Sequence, residues 1–192
     1  MLISNVVMSV SFIYIFIPSG SSLSPAVIEE GKQSLMVMGC FSPTEIYLAL
    51  KGFPEEVINK LHELGENSDY VHLPKDGDLV FVFKEQCWNR AKVVRSLPNN
   101  IIVVVEIIDF PEIIQVEKRM VCKAPKEALD FPVLVGKCCL DSFYGKEEEA
   151  AKHVDKLRSL GLEYLTMEVE VLGSKDGVTR VKVPRIEHGI KN

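Results

Sequence analysis

Hydrophobic and polar residues alternate with different periods along the chain, and these periods predict the order of its elements. From Ser34 to Leu50, β-branched and aromatic residues surround a Ser-Pro-Thr turn, which predicts two strands. From Pro54 to Leu64, apolar residues fall on one helical face behind a proline and two glutamates, and Gly65 follows as a stop. We therefore predict a strand pair followed by one amphipathic helix.

The middle of the chain predicts a series of short strands. These strands are Asp78 to Lys84, Trp88 to Arg95, Ile101 to Ile108, Ile113 to Val116 and Val121 to Lys123. Turn-forming residues separate several of them, including Lys75-Asp76-Gly77 and Pro98-Asn99-Asn100. Strands of this length and spacing indicate a small antiparallel barrel.

The last third of the chain predicts a second mixed region. Val133 to Leu140 favours a strand, and Lys146 to Leu160 favours a second helix with glutamates in its first turn. Tyr164 to Leu172 and Val178 to Val183 then favour a hairpin. We expect the two outer regions to form halves of one subdomain with the barrel inserted between them. The predicted class is α+β, mainly β with two helices.

Composition excludes a disordered chain and argues against nucleic acid as the ligand. The 192 residues are 47% hydrophobic and 26% charged, which is the balance of a folded protein with a core. The net charge of -5 disfavours a broad nucleic-acid surface, because phosphate contacts require positive charge.

Cysteine usage indicates reduced thiols and no metal centre. The five cysteines have no C-x-x-C pair, and no histidines flank them at zinc-finger spacing. They are Cys40, Cys87, Cys122, Cys138 and Cys139. We expect buried free thiols, no structural zinc and no cofactor.

The N-terminal segment leaves three interpretations open. Met1 to Ile28 carries no charged side chain, and Val6 to Ile17 is mostly apolar. A signal peptide would explain the apolar run but normally begins with positive residues. A membrane anchor through residues 1–17 is at the short edge of the roughly 18–20 residues that a span needs. A β-rich or disordered extension outside the domain is the third interpretation.

Three segments of the predicted barrel resemble the Tudor family. Pro74 to Phe83 (PKDGDLVFVF), Trp88 to Val93 (WNRAKV) and Val105 to Phe110 (VEIIDF) follow its patterns G-x-x-V-x-A-x-F, W-Y-R-A-x-V and V-x-F-V-D-Y-G-N. The flanking strings SPTEIYLAL and FPVLVGKCCL look like the strands beside the barrel in the extended form of the domain. The resemblance implies a Tudor barrel inserted in a split staphylococcal-nuclease-like OB subdomain.

The composition of the N-terminus and the resemblance together predict four parts of the chain. Residues 1–30 form the apolar extension, residues 32–70 the first part of the nuclease-like subdomain, residues 73–123 the Tudor barrel, and residues 130–187 the second part of the nuclease-like subdomain. A peptide is then expected to bind in the cleft between barrel and subdomain.

The resemblance also implies an aromatic cage for methylated arginine, but an incomplete one. Its positions fall on Phe83, Asn89, Ile107, Phe110 and Glu112. Two of four rings are therefore retained, and a glutamate replaces the asparagine that would bind the guanidinium. Each well-placed ring attracts a desolvated cation by about 0.5–2 kcal/mol, so losing two rings would remove most of the preference. We expect weak or absent discrimination for methylarginine.

Other residues near the cage are expected to be structural. Trp88 is interpreted as a core or rim packing residue, and Arg90 and Asp109 as an ion pair across adjacent strands, as the resemblance implies. Phe81 and Phe83 share one face of a strand, so either can belong to the core. No nucleophile–base pair or metal-ligand cluster is visible in the sequence, so no catalysis is expected.

The implied function is that of a scaffold or adaptor for an arginine-rich partner segment such as a Piwi-type tail. The family resemblance places such modules in small-RNA (piRNA) and germ-granule pathways, and cytoplasmic ribonucleoprotein granules are the expected location, with membrane anchoring or secretion left open by the N-terminus. One alternative is a working symmetric-dimethylarginine reader that uses Trp88 with Phe83, Phe110 and Glu112. A second is single-stranded RNA binding, which requires stacking rings and a basic groove.

Overall fold

The computed structural model describes residues 27–49, 55–71, 73–97 and 101–191. The predicted helix start at Pro54, the turn at residues 98–100 and the three interpretations of the N-terminal segment through residue 26 lie outside these ranges. Within them, no helix is long and apolar enough to span a membrane.

The described residues form ten strands and four α-helices. The strands are β1 (Gly31–Ser42), β2 (Glu45–Ala49), β3 (Leu79–Lys84), β4 (Cys87–Ser96), β5 (Ile102–Ile107), β6 (Ile113–Glu117), β7 (Val121–Lys123), β8 (Val135–Leu140), β9 (Thr166–Lys175) and β10 (Val178–Lys182). The helices are α1 (Glu55–Glu66), α2 (Glu147–Ala151), α3 (Val154–Ser159) and α4 (Pro184–Lys191).

A closed five-stranded barrel is built from both ends of the chain. Its strand order is β1-β2-β8-β10-β9, and β9 pairs with β1 to close it. The β8–β10 pair is parallel and the other pairs are antiparallel. Alternate strand residues fill its interior, and Leu157 of α3 with Ile186 and Ile190 of α4 complete the core. This split subdomain confirms the predicted fold class; we call it the split barrel.

The central strands form the inserted sheet, with the order β6-β5-β4-β3-β7 and antiparallel pairing throughout. One face buries a cluster of small aliphatic side chains. Its members are Val80, Val82, Ala91, Val93, Val103, Val105, Ile107 and Val121. A 3-10 turn at Lys118–Met120 joins β6 to β7, and no ladder among the described residues pairs these two edge strands.

Helix α1 covers the opposite face of the inserted sheet. Leu61 of α1 packs with Phe81 of β3, Cys122 of β7 and Ala128. Because side chains alternate along a strand, Phe81 points to α1 while Val80 and Val82 point to the other core. The inserted sheet is therefore buried on both faces at its centre.

The helices differ from the two that the sequence predicts. The expected helix from Lys146 to Leu160 is two short helices, because the N–H groups of Lys152 and His153 donate to carbonyls three residues earlier and tighten the turn between α2 and α3. The His153 ring also stacks edge-on against Phe143, with centroids 5.4 Å apart. Helix α4 was missed, although Pro184 at its first position signals a helix start.

The cysteines are free, and four of the five are buried. Cys87 is exposed, which corrects the expectation that all are buried, because it lies in the β3–β4 hairpin. Burial raises the pKa of Cys40 and Cys138 to about 12 and that of Cys139 to about 11. These three thiols stay protonated near neutral pH and are poor nucleophiles.

Candidate functional site

A groove of about 550 Å3 runs between the inserted sheet and the split barrel. Four of the five predicted cage positions line it, namely Asn89, Ile107, Phe110 and Glu112. Phe83 is not among its lining residues, whereas Trp88, predicted to be structural, is. The groove lies in the cleft where the resemblance predicts that a peptide binds. The rings that line it differ from the predicted ones, because Trp88 is included and Phe83 is not.

Trp88 combines a packing role with exposure to the groove. Its side chain sits so close to α1 that a Cβ added to Gly65 would lie 2.3 Å from the Trp88 Cβ. Its backbone N–H donates to His62 Nδ1 at 3.1 Å, and its ring centroid lies 5.2 Å from that of Phe83. Phe83 is the cross-strand partner of Trp88 and packs beside it, while Trp88 alone of the two lines the groove.

The two positions at which the resemblance predicts a lost ring, Asn89 and Ile107, provide no aromatic wall. The Asn89 side-chain amide donates to the Cys87 carbonyl at 3.0 Å, so this polar group is already hydrogen-bonded within β4. Ile107 is only 4% exposed and packs in the core of the inserted sheet. The groove wall at these positions is therefore an amide and the edge of a buried aliphatic side chain.

Phe110 is held between the two parts of the domain. Its ring packs against the core of the inserted sheet and against a cluster of Met38, Ala49 and Val135 at the split barrel. The next residue, Pro111, lies 2.7 Å from the position that a Cβ on Gly39 would occupy. Only glycine in β1 allows this approach, so the loop that carries Glu112 is fixed against β1.

Glu112 is paired with a lysine of the same chain. Lys84 donates to the Glu112 carboxylate and also lies 3.1 Å from Glu85. The hydrogen bond to Glu112 is the main cause that raises the pKa of Lys84. Because Lys84 stays charged, the carboxylate at the expected cation-binding position already has an internal cation.

The charges that line the groove are unbalanced. Lys84 is the single basic residue among its described lining residues, and Glu85, Glu112 and Glu163 are the acidic ones, which leaves a net charge of -2. Met38, Phe41 and Tyr164 add apolar and aromatic surface from the split barrel. The groove therefore suits a cationic ligand with an apolar stem.

The family model for the Tudor domain matches residues 28–142. The chain belongs to the Tudor domain family. A comparison with curated proteins found no significant match.

Solved structures of extended Tudor domains share this fold. The human TDRD1 extended Tudor domain, in complex with a symmetrically dimethylated peptide, is 18% identical with a TM-score of 0.64 over 84% of this chain and 83% of that one. Domain TD3 of mouse TDRD1, in complex with a MILI peptide containing dimethylarginine, is 18% identical with a TM-score of 0.63 over 84% and 86%. The extended Tudor domain of Drosophila melanogaster Tudor-SN is 18% identical with a TM-score of 0.60 over 79% and 74%.

This Tudor domain also contains a buried ion pair. Arg90 Nε and Nη2 donate to the two carboxylate oxygens of Asp109 at 2.8 and 2.7 Å. Arg90 also donates to the backbone carbonyls of Ala128, Phe131 and Pro132, and Asp109 accepts from the Leu134 N–H. The pair is buried, and it fixes Asp109, which follows β5 and lies one residue before Phe110.

Metal ligation finds no support in the described part of this Tudor domain. No group of three or more histidine, cysteine, aspartate or glutamate side chains is close enough to hold a metal ion in residues 27–49, 55–71, 73–97 and 101–191. The arrangement that stands out is a charged and partly aromatic groove, whose chemistry is that of binding.

Proposed function

We propose that this Tudor domain is a non-catalytic interaction module that binds an arginine-rich segment of a protein partner in its groove, with little or no preference for methylated arginine. The observation that carries the proposal is Glu112, a carboxylate in an acidic groove from which two cage rings are missing. A carboxylate attracts unmethylated arginine, and methylation removes part of its bidentate hydrogen bonding.

The related structures support a peptide as the partner. Human TDRD1 is described with a symmetrically dimethylated peptide, and mouse TDRD1 with a peptide containing dimethylarginine. For this chain we propose an arginine-rich tail of the Piwi type in a small-RNA pathway, within cytoplasmic ribonucleoprotein granules. The acidic groove disfavours RNA, because three carboxylates would repel its phosphates.

A methylarginine reader is the second candidate function. It is favoured by the rings of Trp88 and Phe41, which line the groove together with Phe110. In that arrangement Trp88 and Phe41 would take the places of the two lost rings, and methylation would strengthen binding.

Calorimetric titration of the full chain with matched arginine-rich peptides separates the two candidates. We expect dissociation constants within about threefold for the unmethylated and symmetrically dimethylated peptides, because a carboxylate contributes little methyl preference. A peptide with lysine in place of arginine should bind more weakly, since lysine lacks the bidentate fork. Tenfold tighter binding of the methylated peptide would favour the reader, and no binding of either would refute the proposed function.

Replacing Lys84 should strengthen the binding of an arginine-rich peptide. A Lys84→Met variant frees Glu112 and makes the groove more negative, and an exposed ion pair of this kind contributes only about 0.2–1 kcal/mol. The expected gain is therefore about 1.4- to 5-fold in affinity. Calorimetry should show no such gain for Lys75→Met, which removes the same charge outside the groove lining. Equal or weaker binding by Lys84→Met would contradict the competition between Lys84 and the ligand.

A further inference from the structure

Tyr164 has a backbone conformation that its side chain disfavours. Its φ is +63°, in the left-handed region where glycine and asparagine are common and bulky residues are outliers. Its side chain is 66% exposed, so burial of the ring does not compensate for this conformation. Such outliers persist only where the surrounding structure determines them, and they concentrate at functional sites.

Two backbone hydrogen bonds hold Tyr164 against the split barrel. The Tyr164 N–H donates to the Val37 carbonyl at 2.7 Å, and the Val37 N–H donates to the Leu165 carbonyl at 3.0 Å. Two residues before Tyr164, Leu162 is 3% exposed and packs in the core of the split barrel. The backbone of Tyr164 is therefore fixed between a buried anchor and strand β1, and Tyr164 is one of the residues that line the groove.

Glu163 lines the groove beside Tyr164. Its side chain is exposed, and its charge contributes to the raised pKa of Cys40, which places the carboxylate near β1. Lys84, Glu85 and Glu112 lie on the inserted sheet and its loops, whereas Glu163 and Tyr164 belong to the split barrel. The groove thus has an acidic residue on each side, and the one on the split barrel is accompanied by an exposed ring.

We propose that Tyr164 and Glu163 form a second cation subsite, which takes another arginine side chain of the peptide bound at Glu112. The inference rests on the proposed function and deepens it. A tyrosine face and a carboxylate suit a guanidinium together, because the ring packs against its plane while the carboxylate accepts its N–H groups. The subsite explains why a bulky residue occupies a position that glycine or asparagine would occupy without strain.

The test uses opposite effects on stability and binding. A Tyr164→Asn variant of the full chain should unfold at the same or a higher temperature than wild type, because asparagine tolerates a positive φ. The same variant should bind a peptide with two arginines about three- to tenfold more weakly, since a ring contact to a cation is lost. Tyr70→Asn is the matched control, because Tyr70 is 63% exposed but does not line the groove; it should bind as wild type does.

A peptide in which one of the two arginines is alanine completes the cycle. When the replaced arginine is the one that this subsite holds, Tyr164→Asn and Glu163→Gln should each change the affinity for the single-arginine peptide by less than about twofold. If both variants bind the two-arginine peptide as tightly as the wild-type chain does, the subsite is overturned and the proposed function stands. Failure of the wild-type chain to bind any arginine-rich peptide would overturn the proposed function, and the subsite with it.

Discussion

An Arg90→Met variant is expected to lose about 3–5 kcal/mol of free energy of unfolding. Arg90 is 2% exposed, and its removal leaves the Asp109 carboxylate, whose side chain is 7% exposed, without its bidentate partner. Methionine fills part of the volume but cannot donate, so three backbone carbonyls also lose a hydrogen bond. The loss reflects buried polar groups left unpaired more than the net contribution of the intact pair.

Because Arg90 joins the inserted sheet to the segment before β8, the loss of stability in Arg90→Met should affect both parts of the domain. Its carbonyl partners Ala128, Phe131 and Pro132 lie on the segment that leads from the inserted sheet to β8 of the split barrel. Asp109 also accepts from the Leu134 N–H, immediately before β8. We therefore expect Arg90→Met to loosen the connection on which the groove depends.

Urea unfolding of the full chain measures the effect. Arg95→Met is the matched control, because Arg95 is an exposed arginine on the same strand and should change stability by less than about 0.5 kcal/mol. A double variant with Asp109→Leu should lose less than the sum of the two single variants, because the orphaned charge is removed with its partner. Equal, small losses for Arg90→Met and Arg95→Met would contradict a structural role for the pair.

A Phe81→Ala variant should destabilise the domain by about 3–5 kcal/mol, whereas Phe83→Ala should cost less than about 1.5 kcal/mol. The two phenylalanines share one face of β3, and the sequence leaves open which belongs to the core. Phe81 is 0% exposed and packs between α1 and the inserted sheet, so alanine leaves a cavity there. Phe83 is half-buried and mainly supports Trp88.

Urea unfolding of both variants under one set of conditions tests this difference. The two substitutions remove the same atoms from the same strand face, so the comparison isolates burial. We expect a large drop in the midpoint for Phe81→Ala with little change for Phe83→Ala. If Phe83→Ala were the more destabilising of the two, the assignment of Phe81 to the core beneath α1 would be wrong.

Local pattern in the sequence was sufficient for most of the fold. Short runs of β-prone residues along β3 to β5 and the turns between them predicted the strands of the inserted sheet, because β-branched and aromatic residues favour strands. Motifs at Trp88 and Asp109 carried the family resemblance, and the matched family model confirms it. From the residue types at Asn89, Ile107 and Glu112 the resemblance implies an incomplete cage, and this stays a prediction.

What local pattern could not supply is the set of contacts between residues far apart in the chain. Lys84 pairs with Glu112 across 28 residues, and Pro111 packs against Gly39 of β1. Neither contact leaves a periodic signal, because the first depends on how distant parts of the inserted sheet come together and the second on how that sheet sits against the split barrel. The break between α2 and α3 was missed because helix propensity depends on neighbouring residues only. The contact between His153 and Phe143 is a tertiary one.

The groove itself shows this division most clearly. The resemblance carried by the sequence predicts that Phe110 and Glu112 occupy positions of the family's cage and that two rings are lost. Only the tertiary structure decided that Phe110 is packed between two cores, that Lys84 holds Glu112, and that Trp88 faces the groove instead of Phe83. The physical reason is that residue type sets which interactions a side chain can make, whereas packing between distant segments sets which of them it does make.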